Sequence, residues 1–421
     1  MKKIVVFFLT VLLATLSLAM KYETVAWKYL SFLSKGEFQK AYEISTDVMK
    51  NALPTPKLKA VWNQIEAVYG EYEGVMSVQS FEKGGCEVYV FKARFKNQIM
   101  AITISVDKNG KVAGFFFKPL QSIAPYTPPS YVNTSSFKEK DIEVGKYKLK
   151  GKLCIPKGIE NPPVVIMIQG SGAQDMDESI GPNKPFRDIA WGLATMGIAT
   201  IRFNKRTQQV PDKMNPKKIT VKEEVIEDVI SAVSLARSIF PNSLIFALGH
   251  SLGAYLASYI VKNESLAGAI MLASPARNVE ELMLDQLRYL KKFEEVDDQL
   301  IDLVERLIKG DLDPETVVLG APASYYYDLR NYNPLKYLPG IHALLLFGKK
   351  DYQVPPEEAE IFSEKLHGAS NVEIKIYKGL NHLFMKTEGV PSPMDYFKEG
   401  HVSEQIIRDI ANWIKKVCDR G

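Results

Sequence analysis

The chain has 421 residues, 46% apolar and 24% charged, which excludes a disordered or low-complexity protein and leaves room for two or three domains. Its formal charge is +4, Lys2 and Lys3 supply half of it, and no long basic cluster follows, so nothing points to nucleic acid as a partner. Cys86, Cys154 and Cys418 lie far apart in sequence and form no CxxC or Cys/His cluster. No metal or cofactor is therefore expected, and the spacing leaves open whether any two of them pair.

Residues 1–19 read as a secretory signal: Lys2-Lys3, an apolar run over 4–16, then Ser17-Leu18-Ala19 before the cleavage point at Met20. The run is short for a membrane span, so an exported protein, periplasmic or extracellular, is expected. An uncleaved membrane anchor is the alternative, and no stable membrane insertion is expected once the signal is removed. Residues 20–120 form a separate α+β unit. Helical spacing runs over 22–33, 37–49 and from Pro54-Thr55-Pro56 through Tyr69. The period then changes to two, giving strands at 73–81, 86–95, 99–106 and 112–119, with Asp107-Lys108-Asn109-Gly110 as a hairpin turn. Gly36-Glu37-Phe38-Gln39-Lys40-Ala41-Tyr42, Trp62-Asn63-Gln64 and Tyr69-Gly70 resemble the NTF2-like domains that precede some secreted bacterial hydrolases. Residues 121–136, rich in Pro, Ser, Thr and Tyr, read as a semi-extended linker.

From 137 to 421 the pattern is α/β. Continuous apolar strands at 164–168, 198–203, 244–248, 267–273, 342–347 and 372–376 alternate with helices at 186–196, 221–238, 252–261, 357–366 and 403–417. That alternation predicts a mostly parallel sheet covered on both faces. Residues 142–154 form an opening hairpin. The stretch from about 275 to 338 exceeds what a crossover needs and reads as a helical cap, with Tyr325, Tyr326 and Tyr327 as expected substrate-pocket residues.

Between the strand at 244–248 and the helix after it lies Gly249-His250-Ser251-Leu252-Gly253, a Gly-x-Ser-x-Gly turn. In that context it is the nucleophile elbow of an α/β-hydrolase: small residues flank a strained serine that the turn pushes out above the sheet. Leu252 N–H, at the helix start, is a candidate oxyanion donor. The second donor is expected from Ser171 or Gly172 in Gln169-Gly170-Ser171-Gly172, after the 164–168 strand. The order Ser, acid, His makes Asp351, just past the strand at 342–347, the orienting acid. His382, after the last strand, is the general base, chosen from five histidines; His250 adjoins the serine but is expected to point elsewhere.

These motifs, with Gly181-Pro182-Asn183-Lys184-Pro185-Phe186-Arg187-Asp188, resemble secreted bacterial carboxylesterases carrying an NTF2-like N-terminal domain, the thermophilic EstD-type esterases. The resemblance implies a Ser251, Asp351, His382 triad, an oxyanion loop at Ser171, no cofactor, and a small-molecule ester as partner. Gln169 stands where those relatives often have His, and Phe203-Asn204-Lys205-Arg206 replaces Tyr-Asp-Lys-Arg. The expectation is hydrolysis of esters with short to medium acyl chains through an acyl-enzyme. A prolyl-oligopeptidase-type peptidase or amidase, or a non-catalytic ligand-binding protein, is the alternative. Oligomeric state is not legible.

Overall fold

Among the described residues, the first unit is built from four helices and a meander. The computed structural model describes residues 22–122, 126–215, 217–292 and 296–420, so the signal-like segment at 1–19 lies outside the described residues. The chain divides into two units, Met1–Tyr126 and Thr127–Gly421. In the first, helices α1 (22–34), α2 (Phe38–Glu43), α3 (Asp47–Ala52) and α4 (Thr55–Tyr69) precede strands β1 (Tyr72–Lys83), β2 (Cys86–Phe95), β3 (Gln98–Val106) and β4 (Val112–Ser122). The strands pair in chain order, all antiparallel. A proline in the first turn of α4 forfeits no helical hydrogen bond there. Asp107 Oδ1 accepts from Asn109 N and Lys111 N, which closes the β3–β4 turn. Trp27 packs edge-on against Phe91, and Trp62 sits 6.0 Å from Phe95, so the helices bury one face of the sheet.

In the second unit the strands are β5 (Phe137–Val144), β6 (Leu149–Pro156), β7 (Val164–Ile168), β8 (Ala199–Phe203), β9 (Ile245–His250) and β10 (Gly268–Leu272). After the ribbon β11–β12 (Val317–Val318, Ala321–Pro322) come β13 (Ala343–Gly348) and β14 (Val372–Tyr377). The eight-stranded sheet runs β14-β13-β10-β9-β7-β8-β6-β5. Six strands are parallel, and β6 and β5 extend the β8 edge antiparallel. Every residue of β7, β9, β10 and β13 is buried, which is why these segments read as unbroken apolar runs. This is the α/β-hydrolase sheet that the sequence predicts.

The crossover helices are α5 (Pro185–Thr195), the short α6 (Arg206–Gln209), α7 (Glu227–Ile239), α8 (Leu252–Asn263), α12 (Glu357–Lys365) and α13 (Glu404–Cys418). Between β10 and β13 stand α9 (Val279–Leu290), α10 (Asp298–Lys309) and α11 (Ala323–Leu329), the cap. Arg330 joins them: it pairs with Glu280 of α9 and donates to Leu307 O and Ile308 O at the end of α10.

Two local features differ from the sequence reading. The helix expected over 221–238 opens with a π-helical turn, Lys222–Ile226, before α7. One such turn shifts the phase by a single residue and leaves the apolar spacing nearly unchanged, so periodicity does not reveal it. Residues from Thr127 onward, read as linker, belong to the second unit: Tyr131 Oη donates to Val402 O at 2.8 Å, and Tyr131 and Val132 pack against its core. All three cysteines are unpaired.

The chain passes from β7 to β8 on one side, then returns to place β9 on the other side of β7. The strand order therefore reverses between β7 and β9, and the crevice beyond their carboxyl ends is where ligands bind in such sheets.

Candidate active site

Ser251 stands at that reversal. Its backbone lies at φ +53° and ψ −117°, a conformation that costs about 1–3 kcal/mol and persists only when packing enforces it. The enforcement is visible at the flanking glycines. A Cβ on Gly249 would lie 2.1 Å from Gly253 O, and one on Gly253 would lie 2.1 Å from Ile168 O. Strand β7, the elbow and α8 are thus in backbone contact. Ser251 N–H donates to Leu272 O at 2.9 Å, and the Ser251 side chain makes no capping bond to its own helix. The first N–H groups of α8, Leu252 among them, have no intrahelical partner and face the dipole-positive end.

Asp351 follows β13, and its carboxylate is fully engaged. Oδ1 accepts from Gln353 N at 2.8 Å and Val354 N at 2.9 Å, and Oδ2 lies 2.7 Å from His382 Nδ1. With Nδ1 engaged by Asp351, Nε2 is the ring nitrogen left to exchange a proton with a group in the cavity. The His382 loop is braced by Asn381 Oδ1, which accepts from Leu383 N and Met385 N, and by Ser403 N donating to Phe384 O.

Ser251 and His382 line one cavity of about 520 Å³ together with Ser171, Gly172 and Leu252. The cap closes it with Leu282, Met283, Tyr325 and Tyr326. The walls are mainly apolar, which suits an acyl chain. An atom at the Cβ position of Gly170 would lie 3.3 Å from Ser251 Cβ, so the loop after β7 rides directly on the serine.

Esterase EstD of Thermotoga maritima is 38% identical over 399 residues, which cover 94% of this chain and 96% of that one. The chain belongs to the EstD esterase family. Residues 218–419 match the prolyl oligopeptidase family, and residues 26–115 match a family described as a protein of unknown function, DUF3887. Among solved structures, the Pyrococcus furiosus esterase Pf2001 is 17% identical, covering 70% of this chain and 95% of that one at a TM-score of 0.43. Est1E from Butyrivibrio proteoclasticus is 16% identical, covering 66% and 99%, at 0.44. Those likenesses are distant; the strand order described above carries the fold.

In this EstD-family chain two sequence expectations need correction. Tyr327 does not line the cavity. Its hydroxyl is turned to the Leu312 backbone, and Arg330 lies over its ring at 5.0 Å. Three consecutive helical residues span about 200° of the helix surface, so they cannot share one wall. His250 does not point away: it lines the cavity, its ring centroid 4.5 Å from that of His382. Its Nε2 donates to the His382 carbonyl at 2.9 Å, and its Nδ1 lies 2.9 Å from Glu178 Oε2. Burial alone lowers the His250 pKa. The Glu178 charge and hydrogen bond more than offset that and leave it raised.

Glu178, Lys205 and Glu224 escaped the sequence reading. Glu178 Oε1 accepts from Gly170 N at 2.6 Å. Gln169, the departure from His, donates to Phe203 O at the end of β8 and so ties the loop to that strand. The Gly181–Asp188 motif proves to be a fastening. Asn183 Nδ2 donates to Tyr396 O and Lys398 O, each at 2.8 Å, and Asp188 accepts from Val402 N and meets His401 Nδ1. Beside it, the wholly buried Arg202 pairs with Asp177 and Glu139, both at 2.9 Å. Isolated charges along a sequence carry no periodic signal, so only the fold brings these partners together.

Proposed function

We propose that this chain is an exported serine carboxylesterase that hydrolyses esters of short to medium acyl chains. Ser251 is the nucleophile, His382 the general base and then general acid, and Asp351 the group that orients His382. The Ser251 oxygen attacks the ester carbonyl while His382 Nε2 takes its proton. The carbonyl π electrons move to oxygen, which Leu252 N–H and Ser171 or Gly172 N–H stabilise. His382 returns the proton to the departing alcohol, and water activated by the same histidine releases the acid from the acyl-enzyme. Asp351 stays ionised and stabilises the imidazolium formed in each half-reaction.

The observation that carries this reading is the strained Ser251 elbow and the Asp351–His382 pair opening onto one apolar cavity. The esterase name of the Thermotoga maritima relative supports the ester class. The match of residues 218–419 to the prolyl oligopeptidase family favours, as second reading, an amidase using the same triad. We read the N-terminal unit as an NTF2-like domain, since helices cover one face of its antiparallel sheet; no proposed catalytic group lies in it. The signal-like residues 1–19 support export.

The test is a fluorophosphonate label mapped by peptide mass spectrometry, run beside p-nitrophenyl esters of graded chain length and aminoacyl-arylamides. A label on Ser251 with ester turnover far above arylamide turnover is expected. Faster arylamide turnover selects the amidase reading, and a folded protein that takes no label rejects both.

A further inference from the structure

Gly170 is gripped on both sides. Its N–H is held by Glu178, and its carbonyl accepts from Lys205 Nζ at 3.0 Å. Lys205, 3% exposed, is a residue that the Phe203–Arg206 segment keeps from the Tyr-Asp-Lys-Arg pattern. Its ammonium also bonds Glu224 Oε1 at 2.7 Å. Glu224 sits in the π-helical turn, where the wider helix bonds Glu227 N–H back to Lys222 O. Its second oxygen accepts the Tyr325 hydroxyl from the cap helix α11. Burial first, and then the Glu224 charge, hold the Tyr325 phenol well above its ordinary pKa, so it stays a donor. Glu224 and Tyr325 both line the cavity that holds Ser251. A continuous buried chain therefore runs from the loop after β7 to the cap: carbonyl, ammonium, carboxylate, phenol.

Burying an ammonium is expensive, and its pairing with a carboxylate often only breaks even against apolar packing. Its position shows what it does. No peptide among the described residues is cis, so the Gly170 carbonyl and the Ser171 N–H lie in one rigid plane and point in opposite directions. Whatever fixes the Gly170 oxygen also fixes the direction of the Ser171 N–H. A cation on that oxygen further polarises the amide and strengthens its N–H as a donor.

We propose that Lys205 is the positioning residue of the oxyanion hole, orienting and polarising the Gly170–Ser171 peptide so that the Ser171 N–H meets the developing oxyanion, with Glu224 neutralising it and Tyr325 coupling it to the cap. This rests on Ser251 being the nucleophile. It assigns Tyr325 a second role: besides lining the pocket, it makes the strength of the oxyanion hole depend on the seating of the cap.

The experiment uses the full chain, p-nitrophenyl butyrate, and an alkyl trifluoromethyl ketone, whose adduct with a serine carries a tetrahedral oxyanion. Lys205→Met/Glu224→Gln removes the charge pair together and leaves no lone buried charge. It is expected to lower kcat about 10- to 100-fold with KM within about threefold, and to weaken the ketone by the same factor as kcat. Tyr325→Phe deletes one hydroxyl and no charge, and serves if the double variant does not fold. It is expected to lower kcat and ketone affinity together by about threefold, with no further loss when added to the double variant. Unchanged kcat and ketone affinity overturn the proposal. So does a rise in KM alone, which would make the network a wall of the substrate pocket, and so does additivity of Tyr325→Phe with the double variant. Ser251→Ala separates the two levels: turnover by that variant rejects the nucleophile itself, whereas its inactivity beside normal Lys205 variants rejects only the positioning role.

Discussion

The elbow and the loop after β7 touch each other and line the same cavity, and they are held by opposite means. The elbow is fixed by backbone against backbone: Gly249, Gly253 and Ile168 leave no room for a methyl group. The loop is fixed by charged side chains, Glu178 from farther along the same connection and Lys205 from the segment after β8, with His250 and Glu224 behind them. Close backbone packing is rigid and intolerant of change. A loop hung on ion pairs can be retuned one side chain at a time.

The sharpest way to break the first region is Gly253→Ala. The added methyl must push β7 away from α8, and the expected outcome is insoluble protein or a loss of turnover beyond about 1,000-fold, read by circular dichroism and p-nitrophenyl ester assay. Asp351→Asn comes next. Removing tautomer control of His382 is expected to cost about 10⁴ in kcat, with the melting temperature nearly unchanged. Retained activity would transfer the acid role to another carboxylate.

Glu178→Gln probes the second region. The amide oxygen can still accept from Gly170 N–H but brings no charge to His250, so a loss of about tenfold in kcat is expected, equal to about 1.4 kcal/mol. Its stability effect depends on pH. Because Glu178 raises the His250 pKa in the folded state, the pair stabilises fully below the ordinary histidine value of about 6.5, and the contribution is lost as pH rises through the raised value. The gap in melting temperature between parent and variant is therefore widest near pH 6 and narrows toward alkaline pH. A gap that widens instead would mean that Glu178 acts otherwise than through the imidazolium.

The smaller effects lie in the cap. Tyr326→Ala enlarges the cavity and is expected to shift relative kcat/KM toward longer acyl chains by about 10-fold or more, whereas Tyr327→Phe leaves the preference unchanged because that ring faces Leu312. Equal shifts from both would return Tyr327 to the pocket.

This contrast also explains what was legible in the sequence. The elbow declares itself locally, since steric exclusion writes glycines at fixed spacing around one serine. Asp351 and His382 follow because each comes just after an apolar strand and chain order names their roles. The parallel sheet is legible because strands buried on both faces leave unbroken apolar runs. The charge network is not legible: Glu178, Lys205, Glu224 and Tyr325 are separated by up to 101 residues between bonded partners, and nothing periodic connects them. The π-helical turn that carries Glu224 is silent for a related reason, since it alters phase without altering composition.

The fastening at Asn183 and Asp188 has a consequence for the order in which the protein is made. Its partners, the carbonyls of Tyr396 and Lys398 and the residues Gly400, His401 and Val402, are more than 200 residues downstream, and Ser403 is what ties down the His382 loop at Phe384. A domain generally folds as its chain emerges, N-terminal part first. Here all eight strands of the sheet, Asp351 and His382 precede these partners, so the sheet can assemble while the His382 loop still lacks its tie to Ser403. A ribosome-bound chain arrested before residue 400 should thus fail to react with a fluorophosphonate, and one released at full length should react. The expected outcome is a chain that gains reactivity only with its last twenty or so residues.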